Sequence, residues 1–151
     1  MSEKESPVAG PDHRVLVIDD HPLLATAVSM ELQARGNVAC QIVHTGEEAL
    51  AMYVAADLSE TAADAFDLVL SDMDLDEAPG SQAMSGIDVT RKLLEYDGDA
   101  KVVILTASHD RGHIVQANKA GAVGYITKDS IGDGQSLTTS VLRALRGERV
   151  Y

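Results

Sequence analysis

Short apolar runs alternate with stretches in which apolar residues recur every three or four positions, and the alternation repeats five times along the chain. Arg14 to Ile18 (RVLVI) is the first run. It ends abruptly in Asp19 and Asp20 and reads as a strand buried on both faces. Pro22 stands where a helix begins, and Leu23, Leu24, Ala27, Val28 and Leu32 follow at helical spacing until Gly36 stops the pattern. Val38 to Val43 predicts the second strand. Thr45, with Glu48 three residues later, predicts a capping box for a helix carrying Ala49, Leu50, Tyr53 and Val54. The polar, alanine-rich stretch 57–65 either extends that helix or forms a loose link.

Phe66 to Ser71 predicts the third strand, ending at Asp72. An acidic loop rich in turn formers follows, and then a helix with Ile87, Val89, Leu93 and Leu94. Lys101 to Leu105 predicts the fourth strand, ending at Thr106 and Ala107. Ile114, Val115, Ala117 and Ala120 predict a helix closed by Gly121. Val123 to Thr127 predicts the fifth strand, ending at Lys128. Ser136 to Arg146 predicts the last helix, with Gly147 at its end. Five strand–helix repeats imply an α/β fold: a doubly wound parallel sheet with helices on both faces.

Composition narrows the reading. A chain of 151 residues suits one domain, and 45% hydrophobic residues with no Trp suit a Val/Leu/Ile core of the kind that fills parallel sheets. Residues 1–12 read as a polar, disordered tail and residues 13–151 as the domain. The formal charge of −12 argues against nucleic-acid binding by the chain itself and favours a cation, a basic partner or plain solubility, a solvated acidic surface accounting for most of the acids. Cys40 stands alone, which rules out an intrachain disulfide, and its apolar neighbours predict a buried thiol. The N-terminus lacks the apolar stretch of a signal peptide, and no apolar run approaches membrane-spanning length. The expectation is a cytoplasmic protein with no membrane contact.

The charge has a place to concentrate. In open parallel sheets a ligand site lies at the carboxyl ends of the strands. This sequence puts Asp19 and Asp20 there from the first strand, and Asp72, with Asp74 just beyond, from the third. Thr106 and Ala107 come from the fourth, and Lys128 from the fifth. Clustered carboxylates repel one another unless a cation is present. Lys128 supplies one positive charge, and oxygen ligands point to Mg²⁺, or Mn²⁺ in its place, for the rest. A carboxylate held in such a site can attack phosphorus. His21 reads as a loop residue, and His109 with His113 as part of a solvated face.

In this order and on these strands, VLVIDDH, LVLSDMDL, VVILTAS and GYITKD resemble the receiver domain of two-component response regulators, over nearly the whole chain. The resemblance implies a flavodoxin-like sheet of order 2-1-3-4-5 with five helices. It implies Asp72 as phosphoacceptor, and a Mg²⁺ site made by Asp19, Asp20, Asp72 and the backbone carbonyl of Asp74. It implies Thr106, Ala107 and Lys128 around the phosphoryl group, Thr106 and Tyr125 as switch residues, and Asp74 and Ser108 as positions that tune loss of the phosphoryl group. The implied partners are a sensor histidine kinase and, once phosphorylated, a second copy of the chain. The protein would accept phosphate rather than turn over an external substrate. DDHP, KD after the fifth strand and the ending LRALRGERVY resemble the NarL/LuxR-type branch, in which DNA is contacted by a C-terminal domain that this chain lacks. The loop 73–86 is about six residues longer than the resemblance leads one to expect, an insertion of a kind that loops tolerate.

Three other functions compete. DMDLDEA resembles the nucleophile motif of haloacid-dehalogenase-type phosphatases, but those carry it on their first strand with an acidic pair downstream. A dinucleotide-binding module would need a glycine-rich turn after the first strand, where this chain has DDHP. A receiver that works without phosphorylation would not need the full set Asp19, Asp20, Asp72, Thr106 and Lys128.

Overall fold

Strands of consecutive Val, Leu and Ile have no polar face to give to water, so they must lie inside a sheet covered on both sides. The computed structural model, which describes residues 12–61, 64–73, 75, 84–107, 110–131 and 136–151, shows that arrangement. Strands β1 (His13–Ile18), β2 (Val38–Val43), β3 (Leu68–Asp72), β4 (Val102–Thr106) and β5 (Gly124–Thr127) form one parallel sheet of order β2-β1-β3-β4-β5. Helices α1 (Pro22–Gly36), α2 (Gly46–Asp57), α3 (Gly86–Tyr96), α4 (Arg111–Ala120) and α5 (Ser136–Leu145) alternate with them.

Alternate side chains of each strand enter separate cores. Leu16, Ile18, Val69, Ile104 and Tyr125 pack on the face shared with α2, α3 and α4. Val15, Val17, Leu70, Val103 and Ile126 pack on the face shared with α1 and α5. No described helix is long and apolar enough to cross a membrane.

The elements appear where the sequence pattern puts them, and the ends differ for local reasons. β3 starts at Leu68 because Asp67 is taken up by β1's first residues: its amide donates to the Arg14 carbonyl at 2.8 Å and its carboxylate accepts from the Arg14 amide at 2.8 Å. Gly36 is still helical, and Asn37 takes the left-handed turn at φ 53°. A Cβ at Gly36 would lie 3.1 Å from Thr138 of α5, so that glycine lets two helices approach. The capping box expected at α2 is half formed. Thr45 Oγ1 accepts from the Glu48 amide, while the Glu48 carboxylate accepts from the amide of His44. A complete box stands instead at α3, between Ser85 and Asp88. Helix α2 stops at Asp57, so residues 58–61 do not extend it. Cys40 is half-buried rather than enclosed, and burial pushes its thiol pKa up.

Two tyrosines tie α2 to α3. Tyr53 donates to Asp97 and Tyr96 donates to Asp57, each at 2.8 Å, and their rings meet edge to face with centroids 6.3 Å apart. At the far edge of the sheet the chain end returns to β5. Val150 bridges Gly124 in parallel, the Val150 amide donates to the Val123 carbonyl, and its carbonyl accepts from the Tyr125 amide, both at 2.8 Å. Tyr151 secures the return by donating to the Ala122 carbonyl at 2.6 Å.

Candidate functional site

The parallel register brings the predicted residues to one edge. Ile18 lies beside Ser71, Asp72 beside Leu105, and Thr106 beside Thr127, so the next residues out from β1, β3, β4 and β5 share a rim. Asp19 and Asp72 are buried, at 1% and 2% exposure, and Thr106 is buried between them and β5. The Asp19 amide donates to the Val43 carbonyl at 3.0 Å, and the Met73 amide donates to the Leu105 carbonyl at 2.9 Å. Both acids therefore stand on backbone tied into the sheet.

Helix α3 fixes Asp72 from behind. The Gly86 amide donates to the Met73 carbonyl at 2.9 Å, and a Cβ on Gly86 would lie 2.4 Å from the Asp72 carbonyl oxygen. Only a glycine permits that approach. On the other side, Lys128 Nζ lies 3.0 Å from Asp72 Oδ1, with Lys128 at the start of a 3₁₀ turn, Lys128–Ser130, that aims it back across the rim. The pair meets in a charge-assisted contact with little water around the carboxylate.

The remaining acids converge with a histidine. Ligand atoms of Asp19, Asp20, His21 and Asp72 all lie within 4.8 Å of one another. Asp20 Oδ1 is buried and accepts no hydrogen bond, although His21 Nδ1 approaches it to 2.9 Å outside hydrogen-bond geometry. A buried carboxylate oxygen without a donor, among neighbouring carboxylates, fits a divalent cation ringed by oxygens. His44 supports the loop from below, its Nδ1 donating to the Asp19 carbonyl at 3.0 Å.

The structure thus joins Asp19, Asp20, Asp72, Thr106 and Lys128 at one site. Ala107 follows Thr106 on the exposed rim, and Tyr125 lies one strand over with its ring buried beneath α4. Asp74 and Ser108 lie outside the described residues, as do Asp76, Glu77 and His109. His21 is an exposed loop residue, as the sequence pattern predicts, and its ring nitrogen joins the acidic cluster. The residue before a proline is held extended, and His21 sits at φ −102°, ψ 101°.

Known proteins agree with this geometry. The response regulator receiver domain family matches residues 15–141. The chain is 29% identical over 140 residues to the nitrate/nitrite response regulator protein NarP of Escherichia coli, covering 91% of this chain and 57% of that protein. It is 32% identical over 143 residues to the response regulator GacA of Pseudomonas aeruginosa, covering 90% and 56%. The chain therefore spans a little over half the length of these curated relatives. Among solved structures, a LuxR-family two-component response regulator from Aurantimonas sp. SI85-9A1 superposes with a TM-score of 0.74 at 28% identity, covering 92% of this chain and 89% of that one. The receiver domain of the putative response regulator NarL from Mycobacterium tuberculosis gives 0.72 at 28% identity, covering 91% and 99%. With its fold, its acidic rim and these relatives in agreement, the chain belongs to the response regulator receiver domain family, on the NarL/LuxR-type branch.

Proposed function

We propose that Asp72 accepts a phosphoryl group from a sensor histidine kinase at a Mg²⁺ site made by Asp19, Asp20 and Asp72, and that the change is passed on through Thr106 and Tyr125. The observation that carries this reading is the 3.0 Å contact between Lys128 Nζ and the buried Asp72, beside a cluster of carboxylates one of whose oxygens has no hydrogen bond.

A Mg²⁺ ion bound there would offset the charge of the phosphoryl oxygens and of the carboxylates around it. An Asp72 carboxylate oxygen bonds to phosphorus while the bond from phosphorus to the donor's imidazole nitrogen breaks, giving an acyl phosphate on the protein and a neutral histidine on the kinase. Lys128 is placed to pair with the transferred oxygens, as it now pairs with the carboxylate. Gly86 and the β3–β4 ladder hold the acceptor's backbone, so the attacking oxygen needs little reorganisation.

Thr106 ends β4 one residue from the backbone of Ala107, and both are assigned to the phosphoryl group in this reading. Tyr125 packs in the core beside α4, so a movement of Thr106 toward the phosphoryl group would alter the packing beneath α4 and β5. The face formed by α4, β5 and α5, or α1 with α5, is the surface assigned to dimerisation or to control of an output domain. Asp74, through its carbonyl, and Ser108 are assigned to the metal and to tuning of dephosphorylation. The setting assigned to this chemistry is the cytoplasm.

Intact mass after incubation with acetyl phosphate tests the reading. A single phosphoryl adduct that requires Mg²⁺ and disappears in Asp72→Asn is the expected result. A folded protein that takes no adduct, or one whose Asp72→Asn variant is still modified, would overturn it.

A further inference from the structure

The metal site proposed above was read as all oxygen, and the structure adds a nitrogen to it. His21 Nδ1 lies 2.9 Å from Asp20 Oδ1, 3.3 Å from Asp19 Oδ1 and 4.0 Å from Asp72 Oδ2. Donors around one octahedral ion at about 2.1 Å stand roughly 3 Å apart when adjacent and roughly 4.2 Å apart when opposite. The three separations fall in that range, so the imidazole nitrogen is spaced from three carboxylates as a fellow ligand would be.

The position is held by the chain itself. Pro22 restricts His21 to an extended backbone, and the His21 amide donates to Asp19 Oδ1 at 2.8 Å, which sets the start of its side chain above the pocket. With no ion bound, the exposed ring donates from Nδ1 to Asp19 Oδ1 at 3.3 Å, and a metal held there would take the place of that proton. His21 is the N-cap residue of α1, yet its side chain makes no capping hydrogen bond.

We infer that His21 is a specificity-determining ligand that gives this site a preference for nitrogen-seeking divalent ions, with Co²⁺ favoured over Mg²⁺ beyond what the carboxylates alone would produce. The inference rests on the metal site proposed above. Imidazole suits the later first-row transition ions, with affinity rising from Mn²⁺ to Co²⁺ and beyond, while Mg²⁺ prefers oxygen donors and keeps several waters. The nitrogen would therefore raise affinity for the transition ions and leave Mg²⁺ affinity nearly unchanged.

The test is a pair of binding measurements on the whole chain. Titration calorimetry with Co²⁺ and with Mg²⁺, at a pH of about 8, compares wild type with His21→Ala, in which no cap is lost. Co²⁺ affinity is expected to fall at least about tenfold in the variant while Mg²⁺ affinity changes by less than about twofold. Pulsed electron spin resonance of bound Mn²⁺ gives a readout independent of affinity: modulation from a directly coordinated ¹⁴N is expected in wild type and absent in His21→Ala. An unchanged Co²⁺/Mg²⁺ ratio, a rise in both affinities, or no nitrogen modulation would each overturn the role of His21. If Mg²⁺ binds and supports the Asp72 adduct in those cases, the phosphoacceptor reading stands without it. If neither ion binds wild type at millimolar concentration, the metal-site reading falls with it.

Discussion

Gly86→Ala should damage the acceptor site without replacing any residue that meets the phosphoryl group. The added Cβ would lie 2.4 Å from the Asp72 carbonyl oxygen, 3.1 Å from Met73 Cα and 3.2 Å from Asp72 C, and ordinary contact begins at 3.4 Å. Relief requires a movement of about 1 Å in backbone that is pinned on both sides. On one side, the Gly86 amide and carbonyl are held by Met73 and by Thr90 Oγ1, and Ser85 and Asp88 close the capping box. On the other, Asp72 and Met73 are held in the β3–β4 ladder. Overpacking of this kind costs about 1–3 kcal/mol, a fall of roughly 2–12 °C in Tm for a chain of this length. A displacement of about 1 Å at the reacting carboxylate costs on the order of 100-fold in the rate of phosphoryl uptake. Thermal unfolding by circular dichroism and growth of the acetyl phosphate adduct by intact mass measure the two effects. Gly98→Ala, whose Cβ would meet nothing within 4 Å, is the control and should change neither. Wild-type stability and rate in Gly86→Ala would refute the close-approach argument. Lost stability with an unchanged rate would show α3 absorbing the strain and would refute the link to Asp72.

Lys128→Ala removes the ammonium from beside a buried carboxylate. Because Lys128 is partly exposed, the loss expected in urea denaturation without divalent ions is about 1–3 kcal/mol, below that of a fully buried pair, and an unchanged midpoint would refute it. Tyr53→Phe should cost about 1 kcal/mol through the lost bond to Asp97, and it should also flatten the alkaline limb of the stability curve. Burial, then the hydrogen bond and the negative charge of Asp97, hold the Tyr53 phenol well above its ordinary pKa of about 10. The native state thus keeps a proton that the unfolded chain releases, so the contribution is complete below about pH 10 and declines as pH rises toward the native value. Chemical denaturation between about pH 8 and 11 should show a steeper decline in wild type than in Tyr53→Phe, and equal slopes would contradict the assignment.

Much of this was legible in the residues because two patterns agree. The apolar runs fix strands buried on both faces, and each run ends in a polar residue that the parallel register must deliver to the same rim. Asp19, Asp72, Thr106 and Lys128 are found together for that reason. What escaped depends on distances between elements that period and composition do not encode. Gly86 could be aligned as a loop-ending glycine, but its approach to the Asp72 carbonyl needs α3 in place. His21 is the loop residue its neighbours imply, but nothing in them states which way an extended residue before proline turns its ring. The left-handed turn falls at Asn37 rather than Gly36, and Gly36 instead leaves room for Thr138 of α5, a partner about a hundred residues away in sequence.

The return of the chain end to β5 has a consequence for how the molecule meets its own copies. In the order β2-β1-β3-β4-β5, β5 is a border strand, and unsatisfied main-chain groups on such a border are a template for a strand from another molecule. Val150 occupies that template: the Tyr125 amide and the Val123 carbonyl are already bonded within the chain, and the missing side chain of Gly124 lets the tail lie close. The two ends of the sheet are therefore unequal. The start of β5 is covered at the strand that carries Tyr125, so fewer of its main-chain groups are offered to a strand from another molecule.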